Sequence, residues 1–117
     1  MASLLGQVQS EGGLVISAPV YAELLAHPKA TARFVDDFLT RTNIIVDFDL
    51  DKAVWREAGQ CFAEYARRRR RSKGGSAKRL LVDFLIGAHA RLRADRLFTL
   101  DASRYAKAFP QLEVVPC

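Results

Sequence analysis

The chain has 117 residues, half of them hydrophobic, with a formal charge of +5 and a pI of about 9.6. That length builds one domain of ordinary size with a real core, so residues 1–117 are read as a single domain. The basic balance suits an acidic partner such as nucleic acid. No basic segment precedes an apolar stretch at the start, so no secretory signal is read there, and no apolar run approaches the ~18 residues of a membrane span. Cys61 and Cys117 form no CxxC pair and are read as reduced thiols of a cytoplasmic protein.

In chain order, residues 2–10 place Leu4, Leu5 and Val8 on one helical face, and Glu11-Gly12-Gly13 ends that element. A strand is predicted over 14–18, then a helix from about Pro19 to His27, with proline in its first turn and His27-Pro28 stopping it. A second helix at about 30–40 is expected to turn Phe34, Val35, Phe38 and Leu39 inward. Asn43 to Phe48 reads as the next strand. Asp51 caps a long helix running through Arg67 or beyond, with Leu50 placed to staple onto Trp55. Val54, Ala58, Cys61, Phe62 and Tyr65 make its apolar face. Gly74-Gly75-Ser76 marks a loop, and a helix follows from about Ala77 to Ala94. A strand at 97–100, a short helix around Ser103–Ala108 and a last strand at 112–115 complete the chain. Strands alternating with helices in this way imply an α/β fold with parallel βαβ units.

Three acids stand out in that frame. Asp83 interrupts the apolar stretch Leu80 to Ala88, so its helix is expected to be buried on most faces. A carboxylate there is costly unless compensated. Pairing with Arg79 one turn earlier, or bonding to local amides, is the structural explanation. Glu23 follows the first strand, where an acid can simply complement a helix dipole. Asp101 closes the run Leu97-Phe98-Thr99-Leu100-Asp101, where an Asp is often an N-cap. Together the three point to one edge of a parallel sheet, the carboxyl ends of its strands, where such sheets do chemistry. Carboxylates gathered there suit Mg2+ or Mn2+, which prefer oxygen ligands. No P-loop, GxGxxG, HExxH or catalytic triad competes, and His27 and His89 are read as structural or exposed.

These residues resemble the PIN domain, and especially VapC-like toxin ribonucleases of toxin–antitoxin modules. The matching pieces are Ile16 to Leu25 around Glu23, Leu81 to Ala90 around Asp83, and Leu97 to Asp101 with Tyr105 and Phe109-Pro110. The resemblance implies a three-layer α/β/α fold with a mostly parallel sheet of about four strands. It also implies a metal-dependent endoribonuclease, usually a homodimer, inhibited by a small antitoxin. By motif position Glu23, Asp83 and Asp101 would be the catalytic and metal-site acids, with Thr99 a supporting hydroxyl. Such domains usually open on a central strand ending in Asp, and Met1 to Leu5 holds no acid. A truncated or divergent member is therefore expected, with low stability and little or no nuclease activity, its flanking strands closing up or a partner filling the gap. An inactive module that only binds RNA or an antitoxin is the alternative to the ribonuclease.

Arg67, Arg68, Arg69, Arg70 and Arg71 with Lys73, Lys78 and Arg79 place eight of the eighteen basic residues in thirteen positions. A solvated, mobile segment is one reading of such a run. The other is a strip that tracks RNA phosphates without sequence choice and leads to the helix of Asp83. No aromatic residue interrupts the run, so base stacking is not expected there. A basic α/β module that binds nucleic acid without metal chemistry is the third functional reading.

Overall fold

The computed structural model describes residues 13–71 and 81–116. The expected helix at 2–10, the loop around Gly74-Gly75-Ser76, Lys73, Lys78 and Arg79, and Cys117 lie outside the described residues. Among the described residues four strands are separated by one or two helices each: β1 Leu14–Ser17, α1 Ala18–Leu25, α2 Ala32–Arg41, β2 Ile44–Asp47, α3 Lys52–Arg71, α4 Leu81–Arg93, β3 Leu97–Thr99, α5 Ala102–Ala108 and β4 Val114–Pro116. The α/β architecture read from the alternation is the one that forms. The strands pair in parallel, β1 with β2 and β3 with β4, as two separate ribbons among the described residues. The chain divides into two compact units between Asp49 and Leu50.

In the first unit, β1 and β2 run in register from Leu14↔Ile44 to Ser17↔Asp47. Ser17 ends β1 as the N-cap of α1, and Pro19 occupies the first turn, where its missing N–H costs nothing. Thr31 caps α2 by accepting from the Phe34 N–H at 3.1 Å. The Thr42 hydroxyl donates to the Phe38 carbonyl at 2.7 Å, and Asn43 takes φ 57 to leave the helix. The inward set on α2 is narrower than expected. Val35 and Leu39, four apart on one stripe, are buried, whereas Phe34 and Phe38 are 60% and 46% exposed. One position is 100° of helix, so a stripe centred on Val35 and Leu39 turns both phenylalanines toward its edge.

The second unit holds the core. Asp51 caps α3 by accepting from the Val54 N–H at 3.2 Å. Val54 and Ala58 are fully buried, and Cys61, Phe62 and Tyr65 pack against the core behind them. This is the face that the 3.6-residue period marks. Leu50 packs on the same core, but Trp55 is half exposed. Arg67 to Arg71, expected to lead into a loop, are the helical end of α3. Arginine is a good helix former, and cations in a last turn complement the helix dipole.

Helix α4 runs antiparallel to α3. Arg93 at its end pairs with Asp51 at the start of α3, and Arg91 meets Glu57 at 2.8 Å. As expected from the apolar stretch, α4 is buried on most faces, with Phe84, Leu85, Gly87, Ala88, His89 and Ala90 all inside. Phe84 stacks on Phe62 with ring centroids 5.2 Å apart and meets Phe109 at 6.2 Å. Gly87 is required by this packing, because a Cβ there would sit 2.2 Å from the Phe109 ring.

Two glycines on neighbouring helices therefore respond oppositely to alanine. Gly87→Ala drives a methyl into a ring that is itself 2% exposed and is expected to cost about 1–3 kcal/mol. Gly59→Ala, with nothing within 4 Å of the new Cβ, is expected to gain up to ~1 kcal/mol from helix propensity. Urea unfolding of the two variants checks both signs.

Burial raises the Cys61 thiol pKa, and Glu57 and Glu64 push in the same direction against Arg91 and Arg68. A raised folded pKa stabilises the fold fully below the unfolded thiol's value, about 8.5, and that contribution is lost as pH rises through the folded value. Alkylation mapped to the Cys61 peptide is expected to reach half its limiting rate at a higher pH in the folded chain than in urea. Coincident profiles would refute it.

Candidate functional site

Two of the three acids singled out in the sequence are brought together in the second unit. Asp83 stands in the first turn of α4, just before its buried stretch begins, and its side chain is 24% exposed. Asp101 lies between β3 and α5, reached through a short turn in which the Thr99 hydroxyl accepts from the Asp101 N–H at 3.1 Å. Asp101 takes the N-cap position of α5 but makes no side-chain cap bond, so its carboxylate is left for other partners.

The residue between the two acids is Arg104, one turn into α5. Its Nε lies 2.9 Å from Asp101 Oδ2 and its Nη1 lies 3.5 Å from Asp83 Oδ2. One guanidinium thus spans two carboxylates from different elements, using a separate nitrogen for each. Among the described residues, two carboxylates meet one guanidinium in a partly exposed setting. From the sequence, pairing with Arg79 a turn earlier, or bonding to local amides, is the structural explanation of Asp83. Arg79 lies outside the described residues, and the partner seen is 21 positions away on α5. Sequence reading passed over Arg104. The available signal was the i,i+3 spacing of Asp101 and Arg104, which puts both on one helical face.

Glu23 belongs to the first unit. It is exposed in the second turn of α1, and no acid occupies that helix's first turn, so complementing the dipole there is not its role. Ser17, at the carboxyl end of β1, is 3% exposed, and its hydroxyl has no hydrogen-bond partner among the described residues. Among the described residues, no group of three or more His, Cys, Asp or Glu is placed to hold a metal ion. The Asp83–Asp101 pair is the part of the expected constellation that lies within one unit. His27 is exposed, with its Nδ1 accepting from the Lys29 N–H at 3.4 Å, and His89 is buried in α4.

The donor set of the pair suits a divalent cation. Both ligand groups are hard oxygens, and each places its Oδ2 against the Arg104 guanidinium.

The arginine run forms the last turns of α3. Arg67, Arg68, Arg70 and Arg71 are exposed, and Arg68 meets Glu64 at 3.5 Å. Consecutive helical residues point 100° apart, so the five side chains spread around the helix end. No helix of the described residues is long and apolar enough to cross a membrane.

A family model described as PIN domain matches residues 2–110, which leaves out only Met1 and the last seven residues. No curated protein matches the chain.

Proposed function

The chain belongs to the PIN domain family, and on that premise we propose that it is a metal-dependent endoribonuclease of the VapC toxin type. PIN domains have a nuclease-like fold, generally use divalent metal ions, commonly bind RNA and are often partnered with antitoxins. The observation that carries the proposal for this chain is the meeting of Asp83 and Asp101 on a single cationic point. Ordinary surface carboxylates gain little from such an arrangement. A phosphodiesterase gains a ligand pair.

In this reading Asp83 and Asp101 hold Mg2+ or Mn2+, and Glu23 is an acid that the family resemblance assigns by motif position. When bound, the metal activates water and neutralises charge on the leaving oxygen. Thr99 fixes the backbone of Asp101 through its hydroxyl and so aims that carboxylate. Asp83 is aimed by the core, because its helix is anchored by Phe84 and Ala88 on either side of one turn. Arg67 to Arg71, with Lys73, Lys78 and Arg79, bind RNA phosphates. A cognate antitoxin is the protein partner. A homodimer is supported by exposed apolar side chains in the first unit, Phe34, Phe38, Ile45 and Phe48.

Cleavage of RNA in Mn2+ or Mg2+ by the 117-residue chain is expected to be weak and to fall further, by roughly 100-fold, in Asp83→Asn, since even supporting residues of metal sites cost 10–100-fold. RNA binding without metal-dependent cleavage by either protein would leave only a binding module.

Replacing Arg67 to Arg71 with Gln keeps helix propensity and removes five positive charges, so the fold is expected to survive. RNA binding is expected to weaken and the slope of log affinity against log salt to flatten by up to ~0.7 per lost phosphate contact. An unchanged slope would show that the run does not touch phosphate.

A further inference from the structure

We propose that Arg104 is the resident counter-ion of the Asp83–Asp101 pair, and that it competes with the divalent cation for the same two carboxylates. This rests on the metal-nuclease reading of that pair and adds to it a residue that sets how readily the site loads. An ordinary intrahelical ion pair explains one leg of the contact, Arg104 Nε to Asp101 at i,i+3. It does not explain the second, Nη1 to Asp83, which crosses from α5 to α4.

Two carboxylates facing one point repel each other unless a cation lies between them. Arg104 supplies it in the metal-free chain. Its guanidinium is always charged, and its planar fork offers each acid a separate nitrogen in a fixed geometry, whereas a lysine would meet both from one ammonium nitrogen. The pair is thereby held convergent and ready. The same contact resists loading, because Arg104 occupies an Oδ2 of each acid and its positive charge opposes a second cation nearby. The side chain is 40% exposed and Asp101 is 47% exposed, so the arginine has an open way out into solvent when the acids are taken over. Asp83, more enclosed at 24%, stays in place on its buried helix.

Calorimetric titration of Mn2+ into the full chain tests this with the wild type, Arg104→Gln, Arg104→Lys and Asp83→Asn. Removing one positive charge a few ångströms from a divalent ion in a water-like dielectric is expected to tighten Mn2+ binding about tenfold in Arg104→Gln. Arg104→Lys is expected to fall between the wild type and Arg104→Gln. Metal-free Arg104→Gln is expected to melt below the wild type, and saturating Mn2+ is expected to raise its Tm more than it raises the wild type's. If Arg104→Gln does not fold without metal, Arg104→Lys carries the measurement, and binding no tighter than wild type overturns the proposal. Mn2+ binding that depends on Asp83 but is unchanged or weaker in Arg104→Gln overturns the competition alone. Binding that is absent, or equal in the wild type and Asp83→Asn, overturns the metal reading and this inference with it.

Discussion

The contact between the Phe109 ring and Gly87 is the constraint on which the second unit depends. Gly87 lies one turn beyond Asp83 on α4, and Phe109 ends α5, with its N–H donating to the Tyr105 carbonyl at 2.8 Å. The missing side chain at Gly87 lets the ring close onto α4, and Tyr105 is buried alongside. Arg104 precedes Tyr105 directly, so the packing that seats α5 also carries the guanidinium to Asp83. The candidate site is therefore built outward from apolar contacts rather than assembled by its own charges. Exposed ion pairs are worth only about 0–1 kcal/mol, too little to hold two helices in register by themselves.

The charges on α3 and α4 make a useful contrast. Arg91 with Glu57, and Arg93 with Asp51, each join one arginine to one carboxylate along the antiparallel helix pair. Asp51 also caps α3, so its pairing with Arg93 ties a helix start to a helix end. These contacts follow what helix ends want electrostatically, acids at amino ends and bases at carboxyl ends. Arg104 differs in reaching two acids from two elements. A stabilising role alone would be met by Asp101, its neighbour on the helix face. The reach to Asp83 brings a second carboxylate onto the same guanidinium, whose positive charge offsets the repulsion between the two acids.

What the sequence made legible follows from locality. Periodicity marked Val54, Ala58, Cys61, Phe62 and Tyr65 as one face, and all of them meet the core. The cap at Asp51 was readable because capping is a contact over three residues. The apolar setting of Asp83 was readable from its flanks alone. Phe34 and Phe38 were misjudged because α2 buries a narrow stripe, and its width depends on what packs there, which no local pattern states. The pairing of strands into two ribbons is likewise a long-range outcome. Arg104 escaped notice for the same reason: its link to Asp83 spans 21 positions and depends on how α5 seats on α4. The family resemblance names Glu23, Asp83 and Asp101 by motif position, and the contact of Arg104 with Asp83 arises only from tertiary packing.

The arginine run acquires a different meaning once it is helical. A loop of five arginines would be a mobile strip able to follow a strand. A helix end carrying them points successive charges 100° apart and concentrates them in a fixed volume. Its effect at a distance is then that of a compact positive field, screened over roughly 10 Å at ordinary salt. Such a field steers a polyanion from solution and raises its local concentration without choosing among bases. The run itself has no interleaved aromatics on which bases could stack, so its charge acts on a polyanion's backbone and not on its bases.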